Sequence, residues 1–151
     1  MTSLETKLRT LASANAILAV DLGTSPFRWY DRRLVQGALA PPNPTMTGPT
    51  TCVRVLRVST IPLYSQGGLQ TEEHVRLQID VIDYDPETAR QVAADIDTFL
   101  AGVSFMSATP TNITQAPNFK LGQRAGMEYQ LDPPAYVETL DYRVWNRTNL
   151  S

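Results

Sequence analysis

Four carboxylates fall close together in the middle of the chain, at Asp80, Asp83, Asp85 and Glu87. Their spacing is similar to that of a calcium-binding loop, in which closely spaced acidic side chains supply the oxygen ligands. The glycine that such a loop needs after its third ligand is missing. Asp85 is followed directly by Pro86, a pair typical of the first residues of a helix. We therefore expect a helix cap here, with a metal-binding or small-ligand site as the less favoured alternative.

The chain has a single histidine, His74, and a single cysteine, Cys52. One of each excludes an internal disulfide framework, a cysteine-based zinc cluster and a site with several histidines. His74 could do acid–base chemistry, but no nucleophile accompanies it, so a solvated or interface histidine is expected. Cys52 begins a predicted strand and is expected to be a small buried side chain. With no phosphate loop, nucleophile elbow or HExxH pattern, we predict a protein without catalysis, metal or cofactor.

The composition favours an ordinary folded domain. The chain has 151 residues, of which 42% are hydrophobic and 19% are charged, and this length predicts one domain spanning residues 1–151. A net charge of −2 and a pI near 5.3 argue against a dedicated nucleic-acid binder, which usually has a strongly basic face. No uninterrupted apolar stretch suits a signal peptide or a membrane span, so synthesis in the cytoplasm is expected.

The charges are unevenly distributed along the chain. Residues 1–60 contain seven Lys or Arg and three Asp or Glu, whereas residues 61–101 contain two and eight. Residues 102–151 contain four of each sign. The basic first third and the acidic middle third either neutralise each other within one subunit or meet across a subunit boundary.

The secondary structure that positions these groups is predicted from periodicity. Leucines at steps of three and four predict an amphipathic helix from Leu4 that ends at Gly23, with Thr2 and Glu5 at capping-box spacing. A second helix is expected to follow Asp85 and Pro86. Strands are predicted at 27–30, 51–59, 72–83 and 136–146. The predicted fold is therefore α+β, a mostly antiparallel sheet of about four strands with two helices packed on one face.

The predicted strand at 72–83 has the clearest pattern. Its odd-numbered residues from Val75 to Val81 are apolar and its even-numbered residues from His74 to Asp80 are polar, so one face is expected in the core and the other in water. In the last strand, Tyr136, Leu140, Tyr142 and Val144 alternate with a polar set to which we assign Glu138, Asp141 and Arg143. Trp29 and Trp145 are expected to pack in the core, with an interface role as the alternative.

Two segments are predicted as long loops, and one as a turn. Residues 37–50 contain four prolines and predict an extended loop. Residues 103–134 are too long for an idle connector and predict an insertion with short hairpins or a segment that orders on a partner. Gln66-Gly67-Gly68 predicts the turn of a long hairpin whose tip spans residues 60–71.

The segments together resemble the tail-completion, or tail-terminator, proteins of long-tailed bacteriophages and gene transfer agents. The resemblance rests on the helix ending near Leu22-Gly23, the hairpin from Val53-Arg54-Val55 to the strand Val75–Val81, Tyr84-Asp85 with the helix after it, and the strand Tyr136–Trp145. It covers about two thirds of the chain. Residues 37–50 and 103–134 depart from it, so no contact made there is transferred.

The resemblance implies a structural virion protein without enzyme activity, located in the tail or neck. It would form a hexameric ring at the head-proximal end of the tail tube, stop tube growth and present a surface to the head. Its implied partners are identical copies, the tail tube protein, a head connector or stopper protein and possibly the tape-measure protein. DNA would pass through the lumen without specific binding, and no membrane is involved. A head-side connector or stopper subunit is the main alternative.

Two groups of residues are predicted to serve this assembly. The hairpin tip, Gln66, Gly67 and Gly68, is a candidate contact for partners. A polar set on the hairpin strands is predicted to approach the ring lumen or a subunit boundary, where a hydrophilic wall would not trap phosphates as a Lys/Arg lining would. That set is Arg54, Arg57, His74, Arg76, Gln78 and Asp80.

Overall fold

The computed structural model describes residues 4–24, 27–31, 50–65, 68–101, 119–129 and 135–147. Within these ranges the chain forms three helices and five strands. The helices are α1 (Leu4–Ala14), α2 (Ala16–Leu22) and α3 (Pro86–Ala101), and the strands are β1 (Trp29–Asp31), β2 (Cys52–Ser65), β3 (Gly68–Asp83), β4 (Phe119–Tyr129) and β5 (Ala135–Arg147).

The strands form one sheet in the order β1-β2-β3-β5-β4. Strand β1 runs parallel to β2, and the other three pairings are antiparallel. The predicted α+β class with a mostly antiparallel sheet is therefore confirmed. The sheet has one strand more than expected, β4, and the helical layer has one helix more.

The additional helix arises because Asn15 interrupts the predicted N-terminal helix. Its backbone is extended, with φ −78° and ψ 124°, and its side-chain Oδ1 accepts hydrogen bonds from the amides of Ile17 and Leu18, both at 3.1 Å. Asparagine favours this capping role because its short side chain reaches the free amides of a first helical turn. The predicted end at Gly23 is confirmed, with a φ of 82° that glycine adopts without strain.

The predicted cap at Asp85 is also confirmed. The Asp85 carboxylate accepts hydrogen bonds from the Thr88 hydroxyl at 2.7 Å and from the Glu87 amide at 3.3 Å, and its carbonyl accepts from the Ala89 amide. The hydrogen bonds to the carboxylate, that from the Thr88 hydroxyl above all, lower the pKa of Asp85. Asp85 therefore begins α3 in the way its sequence neighbour Pro86 predicts.

All three helices pack on one face of the sheet. The apolar residues predicted for one side of β3 are buried there, from Val75 to Val81, together with Trp29 of β1. Trp29 is thus a core residue. The helices contribute the rest of this core through Leu4, Leu8, Ala12, Leu18, Leu22, Val92, Ala93, Ile96 and Leu100.

The opposite face of the sheet is only partly polar. At one end, Cys52, Ile82, Ala135 and Val137 form a second buried cluster, against which Tyr30 and Tyr84 pack. Asp80, on the same face, is 1% exposed. The expectation that this whole face of β3 lies in water is therefore wrong. Near the end of β3, the neighbouring strands place the apolar residues Cys52 and Val137 on either side of Ile82.

The paired part of the β2–β3 hairpin is longer than predicted. The two strands pair as far as Ser65 and Gly68, with irregularities between Arg57 and Ser59 and between Pro62 and Tyr64. Most of the predicted tip, residues 60–71, is therefore strand. Gly68 is the first residue of β3, whereas Gln66 and Gly67 lie outside the described residues.

Strand β4 lies within the segment predicted as an insertion. It pairs with β5 from Phe119 opposite Val144 to Tyr129 opposite Ala135, so this part of residues 103–134 belongs to the sheet. The remainder of that segment, and the predicted loop 37–50 except Thr50, lie outside the described residues. In the part of the chain that is described, no helix combines the length and the apolar character needed to cross a membrane.

Candidate assembly surface

Asp80 lies at the centre of a polar network on the sheet face away from the helices. Its Oδ2 accepts a hydrogen bond from Nε of Arg54 at 3.1 Å, and its Oδ1 accepts from Gln78 at 3.0 Å and from the Thr139 hydroxyl at 2.9 Å. The register explains this grouping, because Arg54 and Thr139 are the two cross-strand neighbours of Asp80. The structure thus brings together three of the six residues predicted for this surface, Arg54, Gln78 and Asp80. The carboxylate of Asp80 is, however, buried beneath the Arg54 side chain.

Arg76 forms a second ion pair on the same face. Its guanidinium binds both carboxylate oxygens of Asp141, with Nε 3.1 Å from Oδ1 and Nη2 2.6 Å from Oδ2. The side chain of Arg76 is 53% exposed. Arg143 stands directly opposite Arg76 in the β3–β5 pairing, and like charges at this position repel.

Arg57 is separated from the other predicted surface residues. It pairs with Leu77 across the hairpin, which places it on the helix-covered face, and it binds the carboxylate of Glu5 on α1. Glu5 is 8% exposed. Arg57 therefore joins α1 to the sheet, which the local alternation of β2 does not reveal because Glu5 lies 52 residues away in the sequence.

His74 is half-buried on β3, opposite Ile61 of β2 and Trp145 of β5. It shares a strand face with Arg76 and Asp80. Its expected role at an interface stays a prediction, as do the roles of Gln66, Gly67 and Gly68.

Asp83, another member of the acidic group, is bound by the fold's own donors. It is 2% exposed, and its carboxylate accepts hydrogen bonds from the Thr50 hydroxyl at 2.9 Å, from the Thr51 hydroxyl and from the Asp85 amide at 2.8 Å. Glu87 pairs instead with Arg90 on the surface of α3. Within the described ranges, no three His, Cys, Asp or Glu side chains come together as a metal site would require.

Cys52 is a buried thiol in the second apolar cluster, as its sequence context predicts. Burial raises the pKa of this thiol to about 11, against the lowering effect of nearby Arg28. A thiol that stays protonated at neutral pH is a poor nucleophile. The arrangement around Cys52 is that of a packing residue.

Two features of the structure differ from what the sequence predicted. Asp21 of α2 lies within hydrogen-bonding reach of Asp95 of α3, and burial together with this neighbour raises the pKa of Asp21 to about 7. Glu138, which the alternation of β5 assigned to the polar set, is instead buried on the helix face and accepts a hydrogen bond from the Tyr136 hydroxyl at 2.8 Å. Its even number, shared with Leu140 and Tyr142, is the signal that could have corrected this assignment.

No model of a known protein family and no curated protein matches the chain. Among solved structures, the chain is similar to a protein chain in the virion of a native gene transfer agent particle, with a TM-score of 0.62 and 18% sequence identity. The match covers 95% of this chain and 96% of the other. The two chains therefore share one fold over nearly their whole lengths.

Proposed function

We propose that this protein is a structural component of the virion of a tailed bacteriophage or gene transfer agent. In this proposal it forms a hexameric ring at the head-proximal end of the tail tube, ends tube growth and provides the surface that joins tail to head. It acts by shape and charge, without catalysis.

The fold shared with a chain of a gene transfer agent virion carries this proposal. Coverage of 95% and 96% means that neither chain has a large domain lacking in the other. A fold alone does not specify a function, but the sequence segments that resemble tail terminators lie on the matched elements. The shared fold and the sequence resemblance both support a virion component.

The hydrogen bonds that the acidic side chains accept favour a structural role for them. Asp80, Asp83 and Asp85 each accept several hydrogen bonds from groups of the same chain. Carboxylates held in this way stabilise strand pairing and a helix start. This explains the acidic cluster more fully than the metal or ligand site that its spacing suggests.

The charged sheet face suits a protein that surrounds DNA or packs against copies of itself. Asp80 and Asp141 neutralise Arg54 and Arg76. Because two of the arginines on this face are paired, it binds phosphates more weakly than it would with all of them unpaired. In a ring, each subunit also needs two different contact surfaces, since closed rings form through heterologous contacts.

A head-side connector or stopper subunit is the second candidate. It is favoured by the same match, because the description of that neighbour names a whole particle and no position within it. The two roles differ in partner: a terminator binds tail tube subunits, whereas a stopper binds the adaptor next to the portal when tails are absent.

Deletion of the gene in the producing cell, followed by electron microscopy of the particles, tests the proposal. Overlong tails, or tails without heads, would support termination, and complementation with the wild-type gene should restore joined particles. Full heads without tails, together with tails of normal length, would favour the stopper. Normal particles from the deletion strain would refute both roles.

A further inference from the structure

A pair of neighbouring carboxyl groups lies on the helical layer. Asp21 and Asp95 are close enough for a hydrogen bond that can form only when one of them carries a proton. Oδ2 of Asp21 is buried and has no hydrogen-bond donor among the described residues. Two carboxyl groups therefore lie side by side, and within the described ranges Gln91 donates a hydrogen bond to Oδ1 of Asp95 at 3.1 Å.

Exposed apolar side chains adjoin this pair. Ile17 is 58% exposed and Val20 is 76% exposed. Ile17 lies three residues before Val20 and four before Asp21, so it is beside both on the surface of α2. We name Ile17, Val20, Asp21 and Asp95 the helix patch. It combines apolar area with negative charge.

The sheet face away from the helices carries the opposite combination. Arg76 and Arg143 face each other across β3 and β5, and the single carboxylate of Asp141 binds Arg76. Arg143 is exposed and pairs with no carboxylate among the described residues. Ile61, 60% exposed, lies two pairs further along this face, opposite His74. We name Ile61, Arg76 and Arg143 the sheet patch.

The two patches lie on opposite sides of the subunit. The helices cover the face of β3 that carries Val75 and Leu77, and Arg76, between them, points to the other face. The helix patch and the sheet patch therefore cannot neutralise each other within one subunit. Contact of either patch with its own copy would place like charges together.

From this placement we infer that subunits associate head to tail, with the helix patch of one copy docked on the sheet patch of the next. The inference rests on the proposed ring and specifies its contact. Arg143 would lie against Asp21 and Asp95, and the apolar side chains of the two patches would meet beside them. Complementary charge of this kind selects the partner surface and excludes like-with-like pairing.

Charge reversal in matched variants tests this contact. The variants Asp21→Arg and Arg143→Glu each make one patch repel its partner, so each is expected to weaken self-association about tenfold or more in sedimentation equilibrium at low salt. An equimolar mixture of the two should associate again, because each supplies the surface that the other now fits. The double variant should also recover. Glu87→Arg, which reverses an exposed carboxylate on α3 outside the helix patch, should associate like the wild type.

Thermal unfolding followed by circular dichroism establishes that each variant is folded.

A second experiment captures weak contacts: Val20→Cys and Ile61→Cys proteins are mixed and treated with a short bismaleimide. Cross-linked dimers from the mixture alone support the head-to-tail contact, since Cys52 is buried. Dimers formed by either variant alone, or in none of the samples, would overturn it.

These results separate the contact from the function. If the wild type forms oligomers and the charge-reversal variants form them equally well, the proposed contact is refuted but the proposed ring is not. Recovery in the mixture together with absence of the protein from purified virions would support the contact and refute the virion role.

Discussion

Arg57 of β2 binds both carboxylate oxygens of Glu5 on α1, with Nε 2.7 Å from Oε1 and Nη2 3.0 Å from Oε2. This ion pair joins the first helix of the chain to the middle of the sheet. Glu5 is nearly buried and the Arg57 side chain is 30% exposed, so water screens the pair only in part. The contact fixes how α1 lies against β2.

Replacing Arg57 with Met is expected to lower the free energy of unfolding by about 1–3 kcal/mol, because it leaves a nearly buried carboxylate without its cation. The double variant Glu5→Leu/Arg57→Met should recover most of this loss, since it removes both charges. Urea unfolding measures the differences. Equal losses in the single and double variants would contradict this account of the pair.

The two ion pairs on the sheet face away from the helices are expected to differ in strength. Asp80→Asn should cost about 2–4 kcal/mol, because Asp80 is buried and accepts hydrogen bonds from Arg54, Gln78 and Thr139. Asp141→Asn should cost under about 1 kcal/mol, since its partner is largely exposed. Chemical denaturation of both variants provides the comparison. Similar losses of unfolding free energy would show that burial of Asp80 does not make its ion pair the stronger one.

Gly126 of β4 leaves the space that the Tyr136 hydroxyl fills. A Cβ at this position would lie 1.8 Å from that hydroxyl oxygen. Gly126→Ala is therefore expected to lower stability by about 1–3 kcal/mol through displacement of the ring. Adding Tyr136→Phe should relieve part of the clash, so the double variant should lose less than the two single losses together. Additive losses in thermal unfolding would contradict this contact.

The Asp21–Asp95 pair predicts a pH dependence of stability. Asp21 has a folded pKa of about 7 against an ordinary value of 3.8, so between these values the folded state binds more protons than the unfolded state. Its contribution is fully present below about pH 4 and is lost as the pH rises through 7. Because solvent screens this partly exposed pair, we expect a loss of about 1–2 kcal/mol.

Asp21→Asn should abolish this loss and make the protein more stable than the wild type at pH 8. Glu87→Gln, at an exposed carboxylate outside the pair, is the control and should keep the wild-type profile. Denaturant unfolding at several pH values gives the comparison. An unchanged profile in Asp21→Asn would show that another group is responsible.

Cys52 should be unreactive in the folded protein. Burial both blocks access and raises the pKa of its thiol to about 11, so little thiolate forms at pH 8. A thiol-reactive chromophore is expected to label it only after denaturant unfolds the chain. Rapid labelling of the native protein would contradict its placement in the second apolar cluster.

Local patterns in the sequence determined the start of α3 and the buried side of β3. Asp85 and Pro86 are adjacent, and the alternation from Val75 to Val81 needs only the two-residue period of a strand. Both depend on interactions within a few residues, so periodicity and capping rules predict them.

Only the tertiary structure decided which distant groups meet. The burial of Asp80 depends on Arg54 and Thr139 from neighbouring strands, and the pairing of Asp21 with Asp95 depends on how α2 lies beside α3. Strand β4 was likewise unpredicted, since its pairing with β5 stabilises a segment whose own sequence lacks a clear strand pattern. Contacts between residues far apart in the chain leave no periodic signal, and packing sets both their geometry and their energy.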